Sequence, residues 1–256
     1  MIFIHNGCEL KPINCRLPSN ARVAEDAALV LIIEGLNIDN LKDEELEKEI
    51  LRFPSLKQIR LVMTSGAIFI LFLDTSRKSV DITVKSHGLV FIGKNTFMGG
   101  GVKIRCEDCN FVLIGSNSLI AEDVYIRSND GHALVDLNNN LQINDNYRSG
   151  LIIHPNTWIG CRSTILKNSE LASGSVLGAA SLLVSKKIPP NTIAAGVPAK
   201  VIKSNFSFSR EKKLNIEQLY REKDWNFVMD DFKNFFYKII RNDIKSKINL
   251  YLNKLL

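Results

Sequence analysis

The sequence predicts a mainly β fold, a solenoid of short strands, because two regularities run together between residues 92 and 183. Aliphatic side chains recur at every sixth position, and the residue that follows each one is repeatedly Gly or Ala. A period of six fits neither the 3.6-residue repeat of a helix nor simple strand alternation. It fits stacked short strands joined by tight corners, with each aliphatic side chain directed into a narrow prism. The aliphatic positions are Ile92, Met98, Ile104, Ile114, Ile120, Ile126, Ile153, Ile159, Ile165, Leu171, Leu177 and Leu183.

The first 85 residues lack this period and predict a small α/β lead-in. Residues 40–53 combine a capping-box pattern with apolar side chains at helical spacing, which predicts an amphipathic helix. Residues 59–63 and 67–73 have the composition of strands. We expect this segment to cap the open end of the solenoid, because an uncovered terminal coil exposes unpaired backbone and apolar surface.

The six-residue register breaks twice. Ile104 and Ile114 are ten residues apart, and this insertion holds Cys106 and Cys109. A lone Cys-x-x-Cys without a second pair does not predict a zinc site, and five scattered cysteines predict free thiols. Between Ile126 and Ile153 the chain makes a longer excursion, residues 129–150, which is rich in Asn and Asp. Breaks in a solenoid commonly carry function, so the excursion is interpreted as an active-site loop.

The tail, residues 204–256, repeats apolar side chains at helical spacing and predicts one or two amphipathic helices. From Lys203 onward there are 12 basic and 7 acidic residues, so this region carries +5 of the net charge of +6. The apolar face either packs on the solenoid or on a neighbouring subunit, or makes a peripheral membrane contact. A basic tail without a nucleic-acid motif does not predict a nucleic-acid partner.

Four short motifs lie within or directly after the repeats. IPPNTI at residues 188–193 and AGVPAK at 195–200 resemble the segment that closes the left-handed parallel β-helix of hexapeptide-repeat acyltransferases. SNDGH at 128–132 and TWIG at 157–160 are similar to bacterial capsular-polysaccharide and sialic-acid O-acetyltransferases. The resemblance implies a left-handed β-helix over residues 86–203, an acetyl-CoA-dependent O-acetyltransferase with a carbohydrate acceptor, and a homotrimer whose clefts lie between adjacent prisms.

Direct acetyl transfer to a hydroxyl needs a base, and histidine is the natural one near neutral pH. His132 stands in the polar excursion between Asp130 and Asp136, either of which could orient its ring, and Arg148 is available for an acidic acceptor. His154 occupies a corner position that favours a bent-out structural role.

Trp158 precedes an inward aliphatic residue, so its ring should point outward. A neighbouring subunit could cover it, but the resemblance places it in the catalytic cleft beside the histidine and acetyl-CoA. The small residues Ala179, Ala180 and Gly196 would let backbone approach the pantetheine arm. The remaining residues expected at the acetyl-CoA site are Pro198, Lys186, Lys187, Lys200 and Lys203, the lysines suiting its phosphates.

Three alternatives stay open. The first is a small-molecule acceptor on the same fold. The second is a metal-dependent enzyme like carbonic anhydrase, disfavoured because the repeats hold too few histidines, so no metal is expected. The third is a non-catalytic scaffold. The N-terminus has no secretory signal and the longest wholly apolar runs are seven residues, so we expect a cytoplasmic protein.

Overall fold

The computed structural model describes residues 2–5, 8–9, 21–33, 59–72, 78–144 and 150–210, which form a parallel β-helix. The chain visits three sheets in turn, and each return pairs with the strand of the preceding coil. We call these sheets A, B and C. They are the three faces of a triangular prism, which confirms the predicted solenoid of short strands.

The bounds of the strands follow the order of the sheets. Sheet A holds β1 (Ile2–His5), β2 (Cys8–Glu9), β4 (Ala28–Ile33), β6 (Ile68–Phe72), β8 (Leu89–Ile92), β11 (Phe111–Ile114), β16 (Gly150–Ile153), β19 (Glu170–Leu171) and β22 (Lys187–Ile188). Sheet B holds β3 (Arg22–Val23), β5 (Ile59–Met63), β7 (Val80–Val84), β10 (Val102–Cys106), β13 (Tyr125–Arg127), β18 (Thr164–Leu166) and β21 (Leu182–Leu183). Sheet C holds β9 (Phe97–Met98), β12 (Leu119–Ile120), β17 (Trp158–Ile159), β20 (Val176–Leu177), β23 (Thr192–Gly196) and β24 (Ala199–Ser204). A separate hairpin joins β14 (Val135–Asp136) to β15 (Leu141–Gln142).

The core is the column of aliphatic side chains predicted from the six-residue period. All twelve of them are at most 1% exposed. The residue two positions earlier in each repeat also points inward, and there small hydroxyl side chains bond to corner carbonyls. Thr96 and Ser118 donate to the Gly115 carbonyl at 3.1 and 3.0 Å. These bonds satisfy buried hydroxyl groups of the core, whereas the Ser169 hydroxyl at the equivalent position has no hydrogen-bond partner among the described residues.

The Gly or Ala that often follows an aliphatic residue does not make the tight corners of the coils. The residue three positions after nine of the twelve aliphatic ones, rather than the small residue directly after them, adopts the left-handed conformation, as at Asn156, Arg162 and Asn168. The small residue is required by close stacking of coils, since a Cβ added to Gly160 would lie 2.5 Å from the backbone nitrogen of Ala179. Gly or Ala therefore marks contact between successive coils.

The sheets continue across the expected boundary at residue 85. Strand β6 pairs in parallel with β8, and β5 pairs in parallel with β7, which in turn pairs with β10. The described strands before residue 85 therefore extend the same β-helix and share its core. The expected strands at 59–63 and 67–73 are confirmed as β5 and β6.

Several expectations lie outside the described residues, namely the helix at 40–53 and the helices of the tail beyond residue 210. The beginning of the tail is described, and it runs back along the prism. The Phe206 amide donates to the Asn191 carbonyl, and the Arg210 guanidinium donates to the Asn95 carbonyl at 2.6 Å. Within the described ranges, no helix is long and apolar enough to cross a membrane.

Candidate active site

The polar excursion leaves the prism at the corner between sheets B and A, after β13. Hydrogen bonds hold its first residues in place. The Arg127 guanidinium donates to the Asn129 carbonyl at 2.9 Å and to the Tyr125 hydroxyl at 3.3 Å. Asn129, only 3% exposed, donates in turn to the carboxylate of Asp108 at 2.8 Å. Gly131 has a φ of +79°, and an added Cβ would lie 2.4 Å from the Arg127 guanidinium. These contacts fix the direction in which the loop leaves the prism.

Asn144 ties the two sides of the loop around His132. Its amide nitrogen donates to the His132 carbonyl at 2.9 Å and to the Asp130 carboxylate at 2.7 Å. Its amide oxygen accepts the Leu134 N–H at 2.7 Å. The imidazole of His132 is exposed on this clamped backbone. A solvent-facing ring on an ordered loop is accessible to an acceptor hydroxyl.

Asp130 forms a second link, between the loop and the prism. Its carboxylate also accepts a hydrogen bond from the Lys167 ammonium at 2.5 Å. Partial burial raises the pKa of Asp130, but the hydrogen bonds from Asn144 and Lys167 outweigh this effect and hold the pKa below its ordinary value. A charged Asp130 therefore anchors the loop at neutral pH.

The other residues expected beside His132 are placed differently. The carboxylate of Asp136 accepts the backbone N–H of Asn138 at 2.9 Å, so it shapes the turn between β14 and β15. Arg148 lies outside the described residues. The sequence did not single out Asn144 or Lys167. The only signal was the abundance of Asn in the excursion, since Asn both donates and accepts.

Trp158 points outward from sheet C, as expected, while the next residue, Ile159, is buried. The indole is 43% exposed and lies in register between Leu119 and Val176 on the neighbouring strands. The Phe208 ring reaches it at a centroid distance of 5.9 Å and an interplanar angle of 53°. Sheet C is the face opposite the corner that carries the His132 loop. Within one chain, these two residues belong to different sides of the prism.

His154 is buried, at 2% exposure, in place of the bent-out position expected for it. Its Nε2 lies 2.7 Å from a carboxylate oxygen of Glu170, and the other oxygen of Glu170 lies 2.9 Å from the Lys187 ammonium. The hydrogen bond with His154 is the largest influence on Glu170, and together with Lys187 it outweighs burial and lowers the pKa of that carboxyl. This triad is a structural element of sheet A.

The closing segment brings together several residues expected to contact acetyl-CoA. The Gly196 N–H donates to the Ser181 hydroxyl at 3.1 Å, which joins the β23–β24 hairpin to the exposed corner at Ala179 and Ala180. Lys203 lies over the Phe206 ring, 5.0 Å from its centroid. Pro198, Lys186 and Lys200 are exposed, whereas the ammonium of Lys187 is engaged by Glu170.

The cysteines follow the expectation of free thiols at Cys106, Cys109 and Cys161. Cys106 is fully buried, and burial raises the pKa of its thiol to about 12. Its sulfur lies 3.2 Å from the Asn110 carbonyl, so the insertion has a packed structural thiol at its start. Across the described ranges, no three His, Cys, Asp or Glu side chains cluster in a way that could hold a metal ion.

Comparison with known proteins shows which proteins the chain is similar to. No protein-family model matches the chain. It is 44% identical to the galactoside O-acetyltransferase of Escherichia coli (strain K12) over 57 residues, which is 22% of this chain and 28% of that protein. Other curated relatives, from Schizosaccharomyces pombe and Escherichia coli, are also named as putative acetyltransferases. The relatives that share these stretches are acetyltransferases of the hexapeptide-repeat family. The chain spans less than half the length of the first relatives that it matches.

Solved structures share the fold of the chain over most of its length. The polySia-specific acetyltransferase NeuO superposes with a TM-score of 0.62 at 24% identity, covering 91% of this chain and 93% of that one. The polysialic acid O-acetyltransferase OatWY superposes with a TM-score of 0.56 at 21% identity, covering 82% of this chain and 96% of that one. The fold is accordingly a left-handed β-helix.

Proposed function

We propose that the protein is an acetyl-CoA-dependent O-acetyltransferase whose acceptor is a carbohydrate, with an acidic bacterial surface polysaccharide as the acceptor class. The observation that carries the proposal is the clamped, exposed His132 loop on a fold whose matched relatives are acetyltransferases. The galactoside enzyme by its name takes a sugar, and NeuO and OatWY by theirs take polysialic acid. All three acceptors are carbohydrates.

In the proposed reaction, His132 is the general base. The imidazole accepts the proton of an acceptor hydroxyl while that oxygen attacks the thioester carbonyl of acetyl-CoA. The tetrahedral intermediate collapses, the carbon–sulfur bond breaks, and the thiolate leaves with the proton that His132 returns. The products are an O-acetyl ester and coenzyme A. Asp130 and Asn144 support this step by fixing the backbone that carries the imidazole.

The acetyl-CoA site is proposed at the closing segment. Ala179, Ala180 and Gly196 form an exposed surface of small residues that suits the pantetheine arm. Pro198 lies in the same hairpin turn. Lys186, Lys200 and Lys203 are exposed cations suited to the phosphates, whereas Lys187 is already paired with Glu170 and is the weakest candidate.

A homotrimer is part of the proposal. Trp158 and the His132 loop belong to opposite sides of one prism, so a cleft that contains both would form between adjacent copies. The partly exposed Leu119, Trp158 and Val176 give sheet C an apolar outer column that a neighbouring prism could cover. Light scattering coupled to size-exclusion chromatography measures the mass of the assembly directly. A monomer at micromolar concentration contradicts this part.

The experiment that tests the function measures thiol release from acetyl-CoA, with polysialic acid, a neutral glycan and free galactosides as acceptors. We expect polysialic acid to give the highest turnover, and His132→Gln to lower it about 10²- to 10⁴-fold, because glutamine can hydrogen bond but cannot take the proton. His87→Gln is the matched control, since His87 is also exposed but lies at the corner two coils before the loop. Full turnover by His132→Gln contradicts the assigned base. Turnover with galactosides alone points to the small-acceptor alternative.

A further inference from the structure

The outer face of sheet B is basic, in contrast to the outer face of sheet C. Six cations project from or border its strands, accompanied by three carboxylates. The cations are Arg22, Arg60, Lys85, Lys103, Arg105 and Arg127, and the carboxylates are Asp81, Glu107 and Asp123. The outward residues of sheet C at the corresponding coils are apolar, namely Phe97, Leu119, Trp158 and Val176. The basic face is therefore a property of one side of the prism.

Half of these cations have no carboxylate partner within salt-bridge distance among the described residues. Asp81 engages Arg60 at 3.1 Å and Arg105 at 2.8 Å, and Glu107 engages Lys85 at 3.4 Å. Arg22 and Lys103 make no ion pair in that part of the chain. Arg127 is held by the neutral Asn129 carbonyl and Tyr125 hydroxyl. The face keeps uncompensated positive charge available for an anion.

Two open grooves lie on this face. The larger one, of about 580 Å³, is lined by Arg22, Arg60, Thr83, Lys85 and Arg105 with their neighbours. The smaller one, of about 370 Å³, lies beside it between the backbone at Gly101 and the side chains of Lys103 and Tyr125. Together the two grooves make the basic face concave along the prism axis.

The basic face leads to the candidate active site. The strands of sheet B from β3 to β13 are stacked in the order β3, β5, β7, β10 and β13. At about 4.8 Å per strand, Arg22 and Arg127 stand roughly 19 Å apart along the axis. Arg127 is the last residue of β13, and the loop with His132 begins directly after it. A chain that follows the face from Arg22 thus arrives at the root of the catalytic loop.

We infer that the outer face of sheet B binds the acidic polysaccharide and guides it along the prism axis to the His132 loop. The inference rests on the proposed function for the identity of the ligand. Guanidinium groups pair with sugar carboxylates, and repeated cations spaced along an axis match repeated anions along a polymer. Tyr125 supplies an aromatic ring next to Lys103 for the apolar side of a sugar ring.

The test is binding of fluorescently labelled polysialic acid to the full-length protein without acetyl-CoA, at low and moderate salt. The variant is Arg22→Glu with Lys103→Glu, because neither residue takes part in a described ion pair. Lys94→Glu, which reverses one charge at the corner between sheets A and C, is the control for Arg22→Glu and for Lys103→Glu taken singly. We expect the double variant to weaken binding by at least about tenfold and to reduce its salt dependence, and the control to stay within about twofold of the wild type.

The outcomes separate this inference from the function. Unchanged polymer binding in the double variant overturns the basic face as the binding surface, while acetyl transfer to the polymer by the wild type would still support the function. Face-dependent binding without any acetyl transfer supports the surface and removes the function. Equal affinity for single-stranded DNA of similar length, lost in the same double variant, overturns the inference in favour of a general polyanion surface.

Discussion

The clamp formed by Asn144 predicts that one partly exposed asparagine controls the order of the His132 loop. Replacing Asn144 with alanine removes three short side-chain hydrogen bonds, to Asp130, the His132 carbonyl and the Leu134 N–H, and a longer one of 3.4 Å from the Gln142 side chain. A hydrogen bond in a partly exposed site contributes about 0.5–1 kcal/mol net, so the loop loses about 1.5–3 kcal/mol of local stability. The prism should keep its stability, because none of these bonds reaches the core.

The loss is measurable by amide hydrogen exchange. The Leu134 N–H donates to the side chain of Asn144, and the Ile143 N–H donates to the Leu134 carbonyl, so both report on the clamp. A loss of 1.5–3 kcal/mol corresponds to about 10- to 150-fold faster exchange through local opening. Acetyl transfer should slow with it, since a disordered loop presents His132 in the right position for less of the time.

Asn138→Ala is the control, because Asn138 lies in the same hairpin and contributes only its backbone N–H to the described bonds. It should leave exchange at Leu134 unchanged. The reasoning is refuted if Asn144→Ala also leaves the Leu134 exchange rate unchanged. It is refuted equally if the exchange accelerates throughout the prism, since the bonds would then be part of the global fold.

Two further predictions concern stability. Glu170→Gln should lower the free energy of unfolding at pH 7 by about 1–3 kcal/mol, because it removes the charge that pairs with His154 and Lys187. The folded pKa of Glu170 is depressed, so its contribution is complete above its ordinary pKa and is lost as pH falls through the folded value; urea unfolding at several pH values should show the difference shrinking in acid. Gly160→Ala should cost about 1–3 kcal/mol because its Cβ meets the Ala179 backbone at 2.5 Å, whereas Gly100→Ala, with its nearest contact at 3.9 Å, should change thermal stability little. Equal melting temperatures for the two glycine variants would contradict the close stacking of coils.

The inward side chains were predictable because the prism repeats the same geometry at each corner. One rule, an aliphatic residue at every sixth position, holds from β8 to β21 apart from the two breaks in register, and all twelve positions are buried. The first coils do not show the six-residue period because their strands are longer. β5 and β7 have five residues each and alternate inward and outward, as in Ile59, Leu61 and Met63. Their period is that of an ordinary strand, so the sequence could not assign them to the same β-helix.

The candidate site was predictable only as a location. A register break exposed the excursion and its histidine, because leaving the prism interrupts a pattern that local sequence reveals. The partners that fix the loop depend on distant pairs. Lys167 is 37 residues from Asp130, and Asn144 is 14 residues from it. No local periodicity encodes such pairs, since they arise where a loop folds back on later coils.

The repeat constrains inward residues and leaves outward ones to differ from face to face. Sheet C carries Trp158 between Leu119 and Val176, a surface suited to contact with another prism. Sheet B carries Arg22, Lys103 and other cations, which a close neighbour would have to desolvate at high cost. In the proposed homotrimer, packing through sheet C therefore leaves sheet B open along its length. One coil can therefore contribute to a subunit interface through sheet C and to a polymer-binding surface through sheet B, because these two surfaces lie on separate faces.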